Sequence, residues 1–84
     1  MTDWSDRAKV LELGAAFRVS AEASTIKGND LVEGEQLHLA HVGYSRYDGC
    51  YIYTFAATDG STRQFWLGDE QPVQLLLRAL LPLR

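Results

Sequence analysis

"CYIYTFAATDGSTRQFWL", Cys50 to Leu67, is the stretch on which the fold turns. It reads as two strands joined at Asp59-Gly60, a dipeptide that favours tight hairpin turns. Side chains alternate faces along a strand. Tyr51, Tyr53 and Phe55 therefore share one face of the first strand, and Ile52, Thr54 and Ala56 share the other. In the second strand Phe65 falls with Arg63 and Leu67, which leaves Trp66 with Gln64. A sheet wrapped around a core buries one face of each strand, and Phe55 and Phe65 have to be buried. The Tyr51/Tyr53/Phe55 face is thus expected inside and Trp66 outside. There Trp66 is either covered by Trp4 or the C-terminal leucines, or open to a ligand.

Working outward, "EQLHLAHV" reads as a strand with Leu37, Leu39 and His41 on one face and His38, Ala40 and Val42 on the other. "GAAFRVSAEA" alternates Ala15, Phe17 and Val19 against polar or small residues, the mark of a half-buried strand. The strands are placed at about 15–21, 36–42, 50–57 and 62–67. Between the first two, "EASTIKGNDLVEGEQ" reads as a long excursion pinned by Ile26, Leu31 and Val32, with turns at Gly28-Asn29 and Glu33-Gly34. "DWSDRAKVLEL" suggests a short N-terminal helix laying Trp4 on the domain. "GDEQPVQLLLRALLPLR" reads as a helix over about 72–81, capped by Asp69 or Gln71, with Pro72 in its first turn and Pro82 ending it. Its stripe would be Val73, Leu76, Leu77 and Leu80, with Leu75 and Ala79 roughly opposite. The fold class expected is mainly β: one domain over 1–84, a small antiparallel SH3-like barrel of four or five strands flanked by two short helices.

An 84-residue chain buries a smaller share of its surface than a larger one. Its single cysteine excludes a disulfide within the chain. The formal net charge is -3, from 8 Lys+Arg against 11 Asp+Glu, and the basic residues are scattered singly, which opposes phosphate binding. The opening "MTDWSDRAKV" is polar and acidic, unlike a signal peptide, and no apolar run reaches the length of a membrane span. A cytoplasmic location is expected.

Candidate chemistry is sparse. His38 and His41, three apart, would share a helix face, but a regular strand sends them to opposite faces, so no metal site is expected. Cys50 opens a strand rather than a helix, and only His41 offers itself as a base, so the thiol reads as a small apolar residue. No Ser/His/Asp arrangement, phosphate-cradling glycine loop or EF-hand pattern is present. The chain is expected to be no enzyme and to carry no cofactor.

Two features point to partners instead. Tyr44, Arg46 and Tyr47 sit together in a polar loop and belong to residue types enriched in binding hot spots. Around them an acidic rim of Glu22, Asp30, Glu33 and Glu35 would meet a basic protein, with Trp66 as a further contact. On the C-terminal helix, Leu75, Ala79, Leu81 and Leu83 lie off the main stripe and are expected to meet a second copy or another protein.

The pattern "GAAFRV…GNDLVEGEQLHL…YSRYDGCYIYTF…DGSTRQFWL", followed by a closing helix, resembles a family of uncharacterised small bacterial domains. The resemblance covers Leu13 to about Leu80 and rests mostly on structural residues. It implies an SH3-like barrel and brings no assigned activity. The chain lacks the ALYDY-type opening, paired tryptophans and acidic ligand loop of signalling SH3 domains. The functional expectation is a non-enzymatic protein-interaction module, of the inhibitor or immunity type. The alternatives are a barrel that stacks single-stranded nucleic acid on its aromatics, which the charge opposes, and an enzyme built on Cys50 and His41.

Overall fold

The computed structural model describes residues 11–25 and 30–83. The expected N-terminal helix, Trp4 as a cover, Ile26 and the Gly28-Asn29 turn fall wholly or mostly outside those residues. Five strands form one antiparallel sheet: β1 (Ala16–Val19), β2 (Gln36–Ser45), β3 (Cys50–Ala57), β4 (Thr62–Gly68) and β5 (Leu80–Pro82), in the order β4-β3-β2-β1-β5. A short α-helix, α1 (Gln74–Ala79), runs directly into β5, and a 3-10 turn spans Ala21–Thr25.

The β3/β4 hairpin follows from its alternation. Tyr51, Tyr53 and Phe55 are buried, as are Phe65 and Leu67, while Trp66 faces outward at 37% exposure. Tyr53 pairs with Phe65 and Ile52 with Trp66. The turn is held locally, with Gly60 at φ 90° and the Asp59 carboxylate accepting from the Ser61 amide at 2.9 Å. Phe17 of β1 meets Phe55 edge-on, ring centres 6.4 Å apart. Burying a side chain of this size contributes about 2–3 kcal/mol. No buried side-chain nitrogen or oxygen among the described residues lacks a hydrogen-bond partner.

β2 departs from the expected alternation. Leu39 pairs with Phe55 and His41 with Thr54, so Ala40 is an extra residue, a β-bulge. The strand also runs three residues longer than expected, to Ser45. Beyond the bulge the faces are reset: Val42 opposes Tyr53 and Tyr44 opposes Tyr51 on the core side, while His41 turns out with His38. The expected grouping of His41 with Leu37 and Leu39 is therefore corrected, and with it the placing of the two histidines on opposite faces.

The C-terminal segment also differs. α1 stops at Ala79, two residues short of the expected end, and Leu80 turns extended (φ -124°, ψ 130°) to pair with Val19 of β1. Its last carbonyls are taken by Ser20, whose amide bonds Ala79 O at 2.8 Å and whose hydroxyl bonds Arg78 O at 2.6 Å. Neither Asp69 nor Gln71 caps the helix; Val73 stands at the N-cap without a side-chain bond. The Gln71 side chain instead accepts from the Gly68 amide at 2.8 Å. The buried side of the helix is Leu76 and Ala79, and Leu77 is 42% exposed.

The sheet does not close on itself. β4 and β5 are its edges, and no strand pairing joins them. Three-residue β5 is too short to span the gap, so other segments fill it. Leu31 and Ala23 are buried against the core with Leu76 of α1, and the Asp30 amide bonds Gln64 O at the rim of β4. Val32, expected as an anchor, is 53% exposed. No helix among the described residues is long and apolar enough to cross a membrane.

Candidate functional site

The aromatic loop lies at the tip of the β2/β3 hairpin. Ser45 pairs with Cys50, and the four residues between them form the turn. Gly49 reverses the chain at φ 61°, its amide bonding Ser45 O at 2.9 Å. The turn is braced from within, because the Ser45 hydroxyl donates to Asp48 Oδ2 at 2.7 Å. It is also braced from the neighbouring β4–α1 connection. There the Asp69 amide bonds Gly49 O at 2.9 Å, and the Tyr44 hydroxyl donates to Asp69 Oδ2 at 2.7 Å. The Tyr44 ring packs against Tyr51 with centres 4.7 Å apart. The hydrogen bond to Asp69 holds the Tyr44 phenol above its ordinary value.

Tyr44 is thus part of the brace, and the loop presents Tyr47 instead. Tyr47 is fully exposed, at 102%, with Arg46 exposed beside it. Asp48, Asp69 and Glu70 line a shallow depression of about 400 Å³ next to the tip, together with Cys50. The acidity beside the loop comes from these three residues, which the sequence reading did not select. Asp48 belongs to the loop itself, and the signal for Asp69 and Glu70 lay in the "GDE" after the fourth strand, read there as the start of a helix.

The expected acidic rim is elsewhere. Glu33 and Glu35 precede β2, whereas Tyr47 follows its far end ten residues on. Glu33 is exposed, and so are Glu22 and Asp30. Glu35 is engaged: Arg63 Nε reaches Oε1 at 2.9 Å and Nη2 reaches Oε2 at 3.0 Å. Trp66 lies on the outer face of β4, and its indole N–H donates to Gln64 Oε1 at 3.1 Å.

The residues expected to self-associate are also divided. Ala79 is fully buried in the core and unavailable, a correction that follows from the turn of the helix that carries it. Leu75 is half-buried against the core. Leu81, at 52% exposure, faces outward beside Arg18, and Leu83 is half-buried.

The geometry assembles no reactive centre from Cys50 and His41. Cys50 pairs with Ser45 and His41 with Thr54, four residues along β3, or about 13 Å at 3.3 Å per residue. Burial, followed by the charges of Asp48 and Asp69, pushes the Cys50 thiol up, away from the thiolate a nucleophile needs. His38 and His41 do share the outer face, yet among the described residues no group of three or more His, Cys, Asp and Glu side chains is placed to hold a metal ion. Of the aromatics, Tyr51, Tyr53, Phe55 and Phe65 are core residues closed to a stacking base, whereas Tyr44, Tyr47 and Trp66 are exposed. Compared with protein-family models, with curated proteins and with solved structures, the chain has no match in any of the three.

Proposed function

We propose that this chain is a non-enzymatic protein-interaction module that docks through the tip of the β2/β3 hairpin. The observation that carries the reading is a fully exposed tyrosine, Tyr47, beside an exposed arginine on a turn braced by Ser45, Asp48 and Asp69. A large apolar ring held in water on a braced turn loses little freedom when a partner covers it, which lowers the cost of association. The carboxylates of Asp48, Asp69 and Glu70 favour a partner whose facing surface is basic. A small acidic protein acting as an inhibitor or immunity-type antagonist fits this pattern. The same reading takes the chain as an open-sheeted relative of the small bacterial SH3-like domains it resembles, working in the cytoplasm. Five antiparallel strands around one core support that kinship.

The test is affinity capture with the Arg46→Ala/Tyr47→Ala double variant beside the unsubstituted chain. Both side chains are exposed, so the melting temperature should hold within the small range typical of surface substitutions. Capture of a specific partner should fall at least tenfold. Equal capture by the two proteins, with equal melting temperatures, refutes the hairpin tip as the docking site.

A further inference from the structure

Among the described residues the sheet has three margins that no strand covers, and two are guarded. β5 is three residues long and ends in Pro82, which has no amide to offer. On β4 the Gln64 carbonyl is taken by the Asp30 amide, and the Gly68 amide by the Gln71 side chain. The third margin is the far half of β2. β1 accompanies β2 only as far as Leu39, where Gly14 N bonds Leu39 O and Leu39 N bonds Ala15 O. There the chain turns away, with Gly14 at φ 86° and Ala15 N bonded to Glu12 O. Among the described residues, no strand accompanies β2 from there to Ser45.

The direction of the main-chain groups along this margin follows from the ladder. Leu39 faces β1 with its amide and carbonyl, and in an antiparallel sheet residues on the core side share that direction. Past the bulge, Val42 and Tyr44 take up the core-side positions, so their amides and carbonyls point away from β3 into the open margin. Natural edges are protected by charge, proline or a covering segment. The segment His41-Val42-Gly43-Tyr44-Ser45 has no Asp, Glu, Lys, Arg or Pro. Within it Tyr44 is 41% exposed.

We infer that the Val42–Tyr44 margin pairs with the same margin of a second copy, giving a two-fold dimer whose sheet runs continuously through β2 of both chains. The segment suits its own copy. A two-fold axis at Gly43 sets Val42 opposite the other copy's Tyr44, and Tyr44 opposite its Val42. Each such pair exchanges two N–H···O bonds, four in all. At the axis Gly43 meets Gly43 in the close, non-hydrogen-bonded spacing of about 4.5 Å. Gly43 itself brings no side chain to the axis, the His41 ring beside it can swing outward, and no Asp, Glu, Lys or Arg on the segment repels its twin. An isologous contact requires that self-complementarity. A second copy would also add support that an 84-residue chain with no disulfide otherwise lacks. The inference does not depend on the hairpin tip having a partner.

The test places like charges at the axis. Gly43→Asp and Gly43→Lys are made separately; a Cβ at this site meets only the His41 ring, 3.3 Å away, which can swing outward. Mass is read by light scattering and sedimentation from 1 µM to 1 mM. The unsubstituted protein should reach twice the 9.4 kDa chain mass. Each variant alone should remain a monomer, with its dissociation constant raised at least about 100-fold, since like charges facing across a contact cost several kcal/mol. An equimolar mixture of the two should recover the dimer. Amide hydrogen exchange gives a reading that needs no variant: the Val42 and Tyr44 amides should become protected as concentration rises. A monomer throughout the range overturns the inference, including one that pairs with an added peptide. So does a dimer indifferent to both charges, or a dimer in which those two amides exchange freely.

Discussion

Glu35 holds Arg63 through both carboxylate oxygens, and the two side chains keep only 21% and 24% of their exposure. A pair this far from water lies between the exposed kind, worth 0.2–1 kcal/mol, and the fully buried kind, whose breaking costs about 3–5 kcal/mol. Arg63 stands on the core side of β4, opposite Phe55, so removing its partner leaves a guanidinium beside aromatic rings. Glu35→Ala should cost about 1–2 kcal/mol and lower the melting temperature by roughly 5–15 °C. Glu33→Ala, two residues away and exposed, should leave it unchanged within error. Thermal melts of the two variants check the difference, and equal melting temperatures would show that the ion pair is only a surface contact. The composition that suggested an acidic rim therefore contains two unlike glutamates. A sequence cannot separate them, because the separation comes from a residue 28 positions away.

At the scale of elements, legibility followed how local the cause was. β3 and β4 could be read because their period is unbroken and their turn lies between them in sequence. β2 could be read only up to its bulge. With Ala40 skipped, the run Leu37-His38-Leu39-His41-Val42-Gly43-Tyr44 alternates core and outer face without interruption. With Ala40 counted, the parity of everything after it is reversed, and the two histidines were separated on that basis. "LLPLR" was ambiguous for another reason. Leucines suit a helix or a strand, and only the presence of β1 alongside makes Leu80 and Leu81 extended. The hairpin tip was legible as residue types, while the division of labour between Tyr44 as brace and Tyr47 as presented ring was not. It depends on Asp69, which arrives from another connection. The bulge yields its own prediction. Deleting Ala40 leaves every other side chain on its present face, so the protein should fold, with a loss of about 1–3 kcal/mol from the lost bend in β2. Deleting Thr54 from β3, where no residue is extra, sends the side chains beyond it to the wrong face and should prevent folding. Circular dichroism and denaturant melts distinguish the two, and a deletion of Ala40 as damaging as that of Thr54 would contradict the bulge.

At the scale of the whole molecule, the groups shifted among the described residues act on stability from both ends of the pH range. Asp59 is held below the ordinary carboxylate value, first by its hydrogen bonds from Ser61. Its stabilisation is complete above the unfolded value, near 3.9, and is lost as pH falls through the folded one. Tyr44 is raised, first by its bond to Asp69, and Cys50 is raised, first by burial. For these two the protonated form is favoured by folding. Their contributions are complete below the unfolded values, near 10 for tyrosine and 8.5 for cysteine, and disappear as pH rises through the folded ones. The melting temperature should thus be level from about pH 5 to 8, decline into acid and decline again above about pH 9. The alkaline decline carries a test of the brace beneath the hairpin tip. Tyr44→Phe loses the hydrogen bond to Asp69 and should melt below the unsubstituted protein at pH 7. It also has no proton to lose beside that carboxylate, so the gap should hold up to about pH 10, the unfolded tyrosine value, and narrow as pH rises from there through the higher folded one. No gap at pH 7, or a gap that stays constant from pH 7 to 11, would mean that the bond from the Tyr44 hydroxyl to the Asp69 carboxylate does not hold the hairpin tip in place.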